Sequence, residues 1–220
     1  MDVTNDASVD AAVATILNRT GRIDAIVNNA GVDLVGAVEE TTADEGLTLF
    51  QTNFFGVHRL IRAVLPTMRA QHRGRLVTIG SIAGFLPEPY QAFYSAAKHA
   101  LEGYVESLDY EVRPFGIRAV LIEPGFIRTS LGANRASAAT NLEVYARARA
   151  HVDTKSARDI ARGTKPEAVA AAVEKVLVAQ KPALRTRVGA DAHQLYLLRH
   201  TLPQPLFRIG MRRRLRHDGG

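Results

Sequence analysis

The sequence predicts an α/β protein with a parallel β-sheet that is covered by helices on both faces. Short apolar runs, which are typical of buried strands, alternate along the 220 residues with longer segments of helical periodicity. This alternation favours parallel strands joined by crossover helices. A hydrophobic share of 46% is enough for a buried core, and the length is that of one domain. We therefore expect a single domain over residues 1–220.

Two helices and two strands are predicted in the first half of the chain. Asp6 is the predicted N-cap of a helix with apolar residues from Val9 to Leu17, and Gly21 follows its end. An apolar strand over 23–27 comes next. The following elements are a long helix over 42–69, with its apolar residues on one face, and a strand over 75–80.

The second half continues the alternation and then changes character. Its predicted elements are a helix over 93–113 that ends at Pro114 and Gly116, a strand over 118–123, a helix over 166–181, a strand over 185–188, and two short helices after Asp191 that break at Pro203 and Pro205. Residues 125–165 are rich in Ala, Arg, Ser and Thr and show weak periodicity. One interpretation of this segment is a plain surface insertion.

Composition excludes several kinds of site. The chain has no cysteine, which excludes disulfides, cysteine-ligated zinc and a cysteine nucleophile, and which fits a cytoplasmic protein. None of the seven histidines forms a pair at metal-ligand spacing, so no metal site is predicted. There is no run of 18 apolar residues to predict a transmembrane helix, and the polar start over 1–6 is not that of a signal peptide.

Positive charge is concentrated in the C-terminal tail, 191–220, of a chain with a net charge of +6. Residues 208–220 hold five arginines against one aspartate. One interpretation is a solvated helix end. Another is a membrane-surface patch, because apolar residues alternate with the arginines. No recognised nucleic-acid-binding module accompanies the charge, so no nucleic-acid partner is predicted. The apolar residues concerned are Leu206, Phe207, Ile209, Met211 and Leu215.

A tyrosine and a lysine four residues apart form the most informative motif. On a helix, Tyr94 and Lys98 share one face, and a nearby cation lowers the pKa of a phenol from its usual ~10. Such a tyrosine can give or take a proton at an alcohol or carbonyl oxygen. Ser81, thirteen residues upstream, ends a strand, which is where the active groups of α/β sheets collect. A half-buried aromatic, a solvated lysine and a turn serine are the alternatives.

Three further features accompany this motif. Asn53 falls inside a predicted helix, where asparagine is unfavourable because its side chain competes for backbone hydrogen bonds. Asn28-Asn29-Ala30-Gly31 follows the first strand, and Pro124-Gly125 closes a later one. A solvent-facing asparagine and ordinary loops are the alternatives. Lys98 is the only lysine before Lys155, and an ammonium is not interchangeable with the guanidinium that this region otherwise uses.

In this order and spacing, the motifs resemble the short-chain dehydrogenase/reductase family, and within it the branch of 17β-hydroxysteroid and retinol dehydrogenases. The segment 107–118 carries much of the closer likeness. The resemblance covers residues 2–130 in motif order and the rest more loosely. It implies a doubly wound, Rossmann-like parallel sheet. It also implies an oxidoreductase that transfers hydride between NAD or NADP and a secondary alcohol or ketone.

The resemblance implies a role for each residue of the motifs. Tyr94 is the general acid/base, Ser81 polarises the substrate oxygen, and Lys98 lowers the phenol pKa and binds the nicotinamide ribose. Asn53 distorts its helix and holds a water that relays protons. The residues implied to bind the cofactor are Asp2, Val3, Asn29, Ala30, Gly31, Tyr94, Lys98, Pro124, Gly125, Ile127 and Thr129. The apolar candidates for the substrate pocket are Phe85, Leu86, Tyr90 and Phe126.

The same resemblance implies the partners of the chain. Four apolar pocket residues suggest a lipophilic small-molecule substrate such as a steroid, a retinoid or another long alcohol. Residues 125–165 would form a lid over that substrate. The two long helices, 42–69 and 93–113, would pair two subunits in a homo-oligomer.

The segment that opens members of the family is missing from this sequence. It contains a strand and a glycine-rich turn that holds the cofactor pyrophosphate at a helix N-terminus. Met1-Asp2-Val3-Thr4 resembles the end of the third strand, so the sheet is expected to lack its first two to three strands. The strand over 23–27 then becomes an unprotected edge. The choice between NAD and NADP lies in the missing second strand.

Two functional hypotheses follow from this combination. In the first, the chain is an oxidoreductase whose remaining half-site suffices for catalysis. In the second, it is a catalytically inactive fragment that serves as a binding or dimerising module. The complete set of Asn53, Ser81, Tyr94 and Lys98 favours the first hypothesis, whereas the missing glycine-rich turn favours the second.

Overall fold

The structure, a computed structural model, describes residues 1–129 and 135–215, with side chains up to residue 211. Eight helices and six strands are assigned within these ranges. In chain order they are α1 (Asp6–Thr20), β1 (Ala25–Asn28), β2 (Leu34–Val35), α2 (Ala43–Phe50), α3 (Gly56–Ala70), β3 (Gly74–Ile79), α4 (Ala92–Val112), β4 (Ile117–Pro124), β5 (Ala136–Ser137), α5 (Glu143–Ala161), α6 (Pro166–Val178), β6 (Arg185–Val188), α7 (Ala190–Thr201) and α8 (Gln204–Leu215).

Four parallel strands form the central sheet in the order β1-β3-β4-β6. The two inner strands, β3 and β4, are almost entirely buried, as expected for strands that are covered on both faces. Strand β1 pairs only with β3 among the described residues, and its Val27 is 40% exposed. The prediction of a parallel α/β sheet with this strand at one edge is therefore confirmed.

Alternate side chains of the inner strands divide the core into two layers. Leu76 and Leu121 point towards α3 and α4, where they pack in a cluster with Ile61 and Leu101. The neighbouring strand residues point to the opposite face and pack against α6. Because successive side chains of a strand alternate between faces, a continuous apolar run predicts helices on both sides. The residues on the α6 side are Val77, Val120 and Ile122.

The predicted long helix over 42–69 is interrupted. Helix α2 ends at Phe50, a π-helical turn spans Gln51–Phe55, and α3 then continues past Pro66 to Ala70. Periodicity did not reveal the interruption because the apolar face continues across it. The π-helical turn contains Asn53, and turns of this kind often occur at functional sites.

The segment 125–165 contains a helix that the sequence did not predict. Helix α5 covers 19 residues, yet none of its side chains is fully buried. A helix that buries no side chain completely lacks the strong apolar stripe on which sequence periodicity depends.

The tail was predicted to form two short helices broken at Pro203 and Pro205. Pro203 lies between α7 and α8 as predicted, but Pro205 lies in the first turn of α8, where proline is tolerated. The tail arginines 212–214 and 216 lie outside the described side chains.

Gly116 connects α4 to β4 in a conformation that only glycine adopts easily. Its φ is 71°, and a Cβ at this position would collide with the backbone carbonyl oxygen of His72. We expect Gly116→Ala to destabilise the fold by about 2–4 kcal/mol, since backbone strain and steric overlap act together. Urea unfolding followed by circular dichroism measures this loss.

Two other glycines separate the two causes. Gly21 has a φ of 70° but no atom within 4 Å of a built Cβ, so Gly21→Ala tests backbone strain alone and should cost about 1 kcal/mol. Gly103 lies in open space on α4, where alanine should stabilise the helix by about 0.5–1 kcal/mol. Equal losses for Gly116→Ala and Gly21→Ala would show that the contact with His72 is unimportant.

Candidate active site

A cavity of about 840 Å³ opens at the carboxyl ends of β1, β3 and β4. Ligands of open α/β sheets bind at this end of the strands. The polar part of the cavity is lined by Tyr94 and Lys98 from α4 and by Ser81 after β3. An apolar part is lined by Val27, Ile79, Val169, Val173 and Leu177 from β1, β3 and α6. The geometry thus brings three of the four predicted catalytic residues to one cavity.

The side chains of Tyr94 and Ser81 both border this cavity. Ser81 follows β3 and caps a short 3₁₀ turn, and its Oγ accepts a hydrogen bond of 3.1 Å from the Ala83 amide. The nearby Ser81 side chain acts to lower the pKa of the Tyr94 phenol. A substrate oxygen that lies beside both hydroxyls can receive two hydrogen bonds.

The pKa of Tyr94 lies well above its ordinary value, contrary to the lowered pKa that we predicted. Burial is the largest cause, and the negative charges of Asp33 and Glu88 add to it. The phenol therefore holds its proton at neutral pH. Lys98 does not overcome these effects, because its Nζ lies 5.6 Å from the centre of the Tyr94 ring.

Lys98 is buried one turn after Tyr94. Its Nζ donates a hydrogen bond of 2.9 Å to the carbonyl oxygen of Ile79, at the end of β3. Burial lowers the pKa of Lys98 to about 8, while the charge of Glu102 acts in the opposite direction. The ammonium is held in a fixed place and titrates within reach of physiological pH.

Asn53 lies in the π-helical turn and contacts a loop rather than the other predicted catalytic residues. Its side-chain amide donates to the carbonyl oxygen of Val32 and accepts from the Val32 amide, both at 2.8 Å. It is buried and does not line the cavity. The described contacts of Asn53 hold the loop after β1, and its predicted part in a water relay stays a prediction.

The residues predicted to bind the cofactor fall into two groups. Eight of them line the cavity: Asn29, Gly31, Tyr94, Lys98, Pro124, Gly125, Ile127 and Thr129. Ala30, Asp2 and Val3 do not border it. Asp2 instead accepts hydrogen bonds of 2.8 Å from the amide and hydroxyl of Thr4, and Val3 packs beside Gly56.

The wall at Gly125 has no room for a side chain. A Cβ at Gly125 would collide with the Asp191 carboxylate, which accepts a hydrogen bond of 2.6 Å from the Phe126 amide. Gly125 itself borders the cavity, so the wall at this point is backbone that a flat cofactor ring can approach closely. The cavity volume also lies within the usual 300–1,000 Å³ of cofactor pockets. The residues present therefore fit the nicotinamide half of a dinucleotide.

The four predicted substrate residues are separated in the structure. Phe126 borders both the large cavity and a second, smaller one, and Leu86 borders the smaller one. Phe85 contacts the edge of Tyr196 instead, with ring centres 5.5 Å apart. Tyr90, whose φ is 63°, packs against Tyr145 of α5. The smaller cavity continues between α5, α7 and α8 and is lined mainly by apolar side chains.

A buried carboxylate that sequence reasoning missed lies beside this site. Asp33 is 3% exposed and accepts hydrogen bonds from Gln91 at 2.6 Å and from Arg135 at 2.7 Å. The Arg135 guanidinium continues to Asp153 and Ser156 on α5. No local motif marks Asp33 and Arg135, which are far apart in sequence. The only available signal was the position of Asp33 shortly after the Asn29-Ala30-Gly31 motif.

Arg135 joins the wall of the cavity to α5, so removing it should loosen that helix. We expect Arg135→Met to increase the rate of backbone amide hydrogen exchange in residues 143–161 by about tenfold or more, because a buried carboxylate loses its charged partner. Hydrogen–deuterium exchange with mass spectrometry measures this rate. Asp153→Asn, which removes the more exposed partner of the same arginine, should change the rate little. Equal exchange in all three proteins would contradict the assigned role of Arg135.

Comparisons with known proteins agree with the geometry. Residues 1–140 match the family model of the short chain dehydrogenases. The chain is 39% identical over 198 residues to a 3-ketodihydrosphingosine reductase of Bacteroides thetaiotaomicron. The aligned region covers 89% of this chain and 74% of that protein. It is 33% identical over 207 residues to retinol dehydrogenase 8 of Bos taurus, with 88% of this chain and 65% of that protein covered.

Solved structures show the same fold. A short-chain dehydrogenase from Streptomyces avermitilis superposes with a TM-score of 0.80 at 37% identity, over 98% of this chain and 78% of that one. A short-chain dehydrogenase/reductase from Burkholderia phymatum in complex with NAD gives a TM-score of 0.76 at 25% identity, over 100% and 77%. The fold and these relatives identify the class of protein as an α/β oxidoreductase with a Rossmann-like sheet. The chain belongs to the short-chain dehydrogenase family.

Proposed function

We propose that this chain catalyses the NAD(P)-dependent interconversion of a ketone and a secondary alcohol. The observation that carries the proposal is the grouping of the Tyr94 and Ser81 side chains in one cavity with the buried ammonium of Lys98. A proton donor, a second hydrogen-bonding hydroxyl and a cation are thus assembled at the carboxyl end of a parallel sheet. Each of these groups has a part in reducing a carbonyl.

Tyr94 supplies the proton in the direction of reduction. Burial and nearby carboxylates raise the pKa of the phenol, so the hydroxyl is protonated and can donate to the substrate oxygen as negative charge develops there. Ser81 donates a second hydrogen bond to the same oxygen and orients the carbonyl. The ammonium of Lys98 stabilises the phenolate that remains after proton transfer. In the direction of oxidation the same groups act in reverse.

A nicotinamide dinucleotide would supply and accept the hydride. Pro124, Gly125, Ile127 and Thr129 would hold its nicotinamide end, and Asn29 and Gly31 would lie along its adenosine side. The NAD complex of the Burkholderia phymatum relative supports this assignment. No glycine-rich turn for the pyrophosphate occurs in the sequence, so binding by these 220 residues depends on the half-site described.

The substrate is proposed to be lipophilic. Leu86 and Phe126 border the smaller cavity, where Val152, Leu195 and Met211 continue an apolar wall away from Tyr94. The smaller cavity has a volume of about 60 Å³, so it can take the first few atoms of a chain attached to the reacting carbon. The names of two relatives, a 3-ketodihydrosphingosine reductase and a retinol dehydrogenase, support a long apolar substrate. Residues 125–165 are proposed to cover it as a lid, with α5 as the covering element.

Association with a second copy and with a membrane surface are further parts of the proposal. Leu47 on α2 and Tyr110 on α4 are 57% and 62% exposed, which supports pairing through the long helices. Leu206 and Ile209 on α8 are also exposed, which supports peripheral contact of a cytoplasmic protein with lipid. None of the helices that the structure describes is long and apolar enough to cross a bilayer.

The second candidate function is a catalytically inactive binding or dimerising module. The open edge of β1 favours it, because a strand with unpaired backbone groups is a template for pairing with another chain. The two candidates differ in what they expect of small molecules. The enzyme binds a reduced nicotinamide and turns over a ketone, whereas the module does neither.

Titration with NADH and NADPH tests the proposed function. We expect saturable quenching or enhancement of nicotinamide fluorescence and a rise in Tm with ligand concentration. Lys98→Ala should weaken the binding, and Lys181→Ala, which alters an exposed lysine, should not. Reduction of 3-ketodihydrosphingosine is then followed by absorbance of the cofactor. Neither binding nor turnover by a folded chain would favour the inactive module.

A further inference from the structure

A cluster of five charged side chains adjoins Lys98 through Glu102. Glu102 and Glu106 come from α4, Glu123 from β4, and Arg185 and Arg187 from β6. We refer to these five residues as the glutamate–arginine cluster. Arg185 donates to Glu102 and Glu106, both at 2.8 Å. Glu123 lies 3.4 Å from Arg185 and 3.0 Å from Arg187.

The cluster contains one more carboxyl group than it has guanidinium groups. Glu123 is 1% exposed, so an uncompensated charge on it would be costly. The carboxyl groups of Glu102 and Glu123 both lie against Nε of Arg185, at 2.8 Å and 3.4 Å, and we infer that they hydrogen-bond one another. Two ionised carboxylates cannot form such a bond, because neither has a proton to donate. A single proton held between them removes the surplus charge and supplies the donor.

Buried atoms of the cluster that lack a hydrogen bond are a second argument for this shared proton. Oε1 of Glu102 is buried and accepts no hydrogen bond within residues 1–129 and 135–215. Oε2 of Glu123 and Nε of Arg187 are also without aligned hydrogen bonds in that part of the chain, although they lie 3.0 Å apart. A hydroxyl on Glu123 directed at Glu102 gives Oε1 the partner that it otherwise lacks.

Glu102 connects the cluster to the candidate active site. It lies one turn after Lys98 on α4, and its charge favours the protonated form of that lysine. Its carboxylate also packs against the backbone on both sides of Ser81. A Cβ built on Gly84 would lie 2.9 Å from Oε1 of Glu102, and one built on Gly80 would lie 3.6 Å from the same atom.

We propose that Glu123 is a positioning residue that holds a proton and donates it in a hydrogen bond to Glu102, and that this bond holds the Glu102 side chain where it acts on Lys98. The proton keeps the cluster neutral and fixes the Glu102 side chain beneath the Ser81 loop. Neither glutamate touches substrate or cofactor in this arrangement. The consequence for catalysis rests on the proposed function, whereas the shared proton does not.

The surroundings of Glu123 explain why the proton is retained near neutral pH. Burial and the neighbouring Glu102 raise the pKa of Glu123 to about 7, against the opposing charges of Arg187 and Arg185. Helix α4 contributes Glu102 and Glu106, strand β6 contributes the two arginines, and α7 contributes Tyr196, whose ring lies 3.2 Å from the Arg187 guanidinium. Asp191, also on α7, is directed to the Phe126 amide.

Carboxyl NMR tests the shared proton directly. The protein is labelled with ¹³C-glutamate, and the Cδ resonances are followed from pH 4 to pH 9. We expect one glutamate to titrate near pH 7, apart from the others, and that resonance to be absent from Glu123→Gln. Glu102→Gln should move its midpoint down by about one pH unit, since a like charge is removed. If no glutamate titrates above pH 5.5, the proposal is overturned.

Lysine NMR tests the link to the active site. The chain contains five lysines, so the Nζ resonance of Lys98 can be assigned with Lys98→Arg. Glu102→Gln should lower the pKa of Lys98 by about one unit, and Glu123→Gln, which keeps a hydrogen-bond donor at position 123, should leave it within about 0.3 units. An unchanged Lys98 in Glu102→Gln would overturn the link.

A control and an independent readout complete the test. Glu106→Gln alters the more exposed carboxyl of the cluster and should change neither the neutral titration nor Lys98. Should Glu102→Gln fail to fold, the titration in wild type and its loss in Glu123→Gln still decide the shared proton. These measurements need no turnover. A chain that shows the titration but binds no nicotinamide would support the proton pair and contradict the proposed function.

Discussion

Tyr94→Phe is expected to lower turnover by about 10²–10⁴-fold while leaving the protein folded, because the variant lacks only the hydroxyl that donates the proton. The ring packs against Leu34, Leu49 and Ala97, and phenylalanine preserves those contacts. Ser81 would still bind the carbonyl oxygen, so the loss should fall on kcat rather than on KM. Burial also raises the pKa of Tyr94, so the hydroxyl is protonated at neutral pH and can act as an acid.

Steady-state kinetics with a saturating reduced nicotinamide and a long-chain ketone provides the measurement. Tyr110→Phe is the matched control, since Tyr110 lies on the same helix, is 62% exposed and should be silent. Thermal unfolding of both variants should match that of the wild type to within about 2 °C. Retention of a tenth or more of the activity in Tyr94→Phe would exclude this hydroxyl as the proton donor.

Asp109→Ala is expected to destabilise the fold by about 3–5 kcal/mol, the largest loss predicted for a single side chain here. Asp109 on α4 is 1% exposed and accepts hydrogen bonds from Arg113 at 2.8 Å, Arg118 at 2.9 Å and the Ala119 amide at 3.0 Å. The interaction attaches α4 to β4, so its loss leaves a buried amide and a partly buried guanidinium without an acceptor.

The ionisation of Asp109 also makes the free energy of unfolding depend on pH. Burial alone would raise the pKa of Asp109, but the two arginines and the Ala119 amide outweigh it and lower the pKa. A lowered pKa in the folded state means that the stabilisation is complete above the unfolded pKa of ~3.9 and is lost as pH falls through the folded pKa. The difference in stability between wild type and Asp109→Ala should therefore shrink below pH 4.

Urea unfolding at pH 7 and at pH 3 measures both effects. Arg113→Ala serves as the control, because Arg113 is 48% exposed and its removal should cost less than about 1 kcal/mol. A loss in Asp109→Ala no larger than that in Arg113→Ala would show that this carboxylate contributes only as a surface ion pair does.

Local sequence patterns predicted the sheet and the grouping of Ser81, Tyr94 and Lys98. The strands β3 and β4 are continuous apolar runs, which occur where a strand is covered on both faces. The spacing of Tyr94 and Lys98 placed both on one helix face, and the end of β3 placed Ser81 beside them. These features depend on neighbours within a few residues or on the general rule that active groups collect at strand ends.

Features that depend on distant partners were not predicted. Arg135 contacts Asp33 across more than 100 residues, and α5 was missed because it buries no side chain completely. The pKa of Tyr94 was predicted in the wrong direction because the spacing revealed Lys98 but not the burial of the phenol or the carboxylate of Asp33. Burial and long-range charge belong to the folded chain rather than to a local motif.

Isotope transfer tests the central claim most directly. The folded 220-residue chain, at a concentration close to that of the cofactor, is mixed with NADH or NADPH deuterated at either face of C4 and with 3-ketodihydrosphingosine. Mass spectrometry of the resulting alcohol measures deuterium at the carbinol carbon. We predict transfer from one face only, and its loss in Tyr94→Phe. No deuterated alcohol from a chain that is folded, with both cofactors and both faces tested, would contradict the claim that this chain is an oxidoreductase.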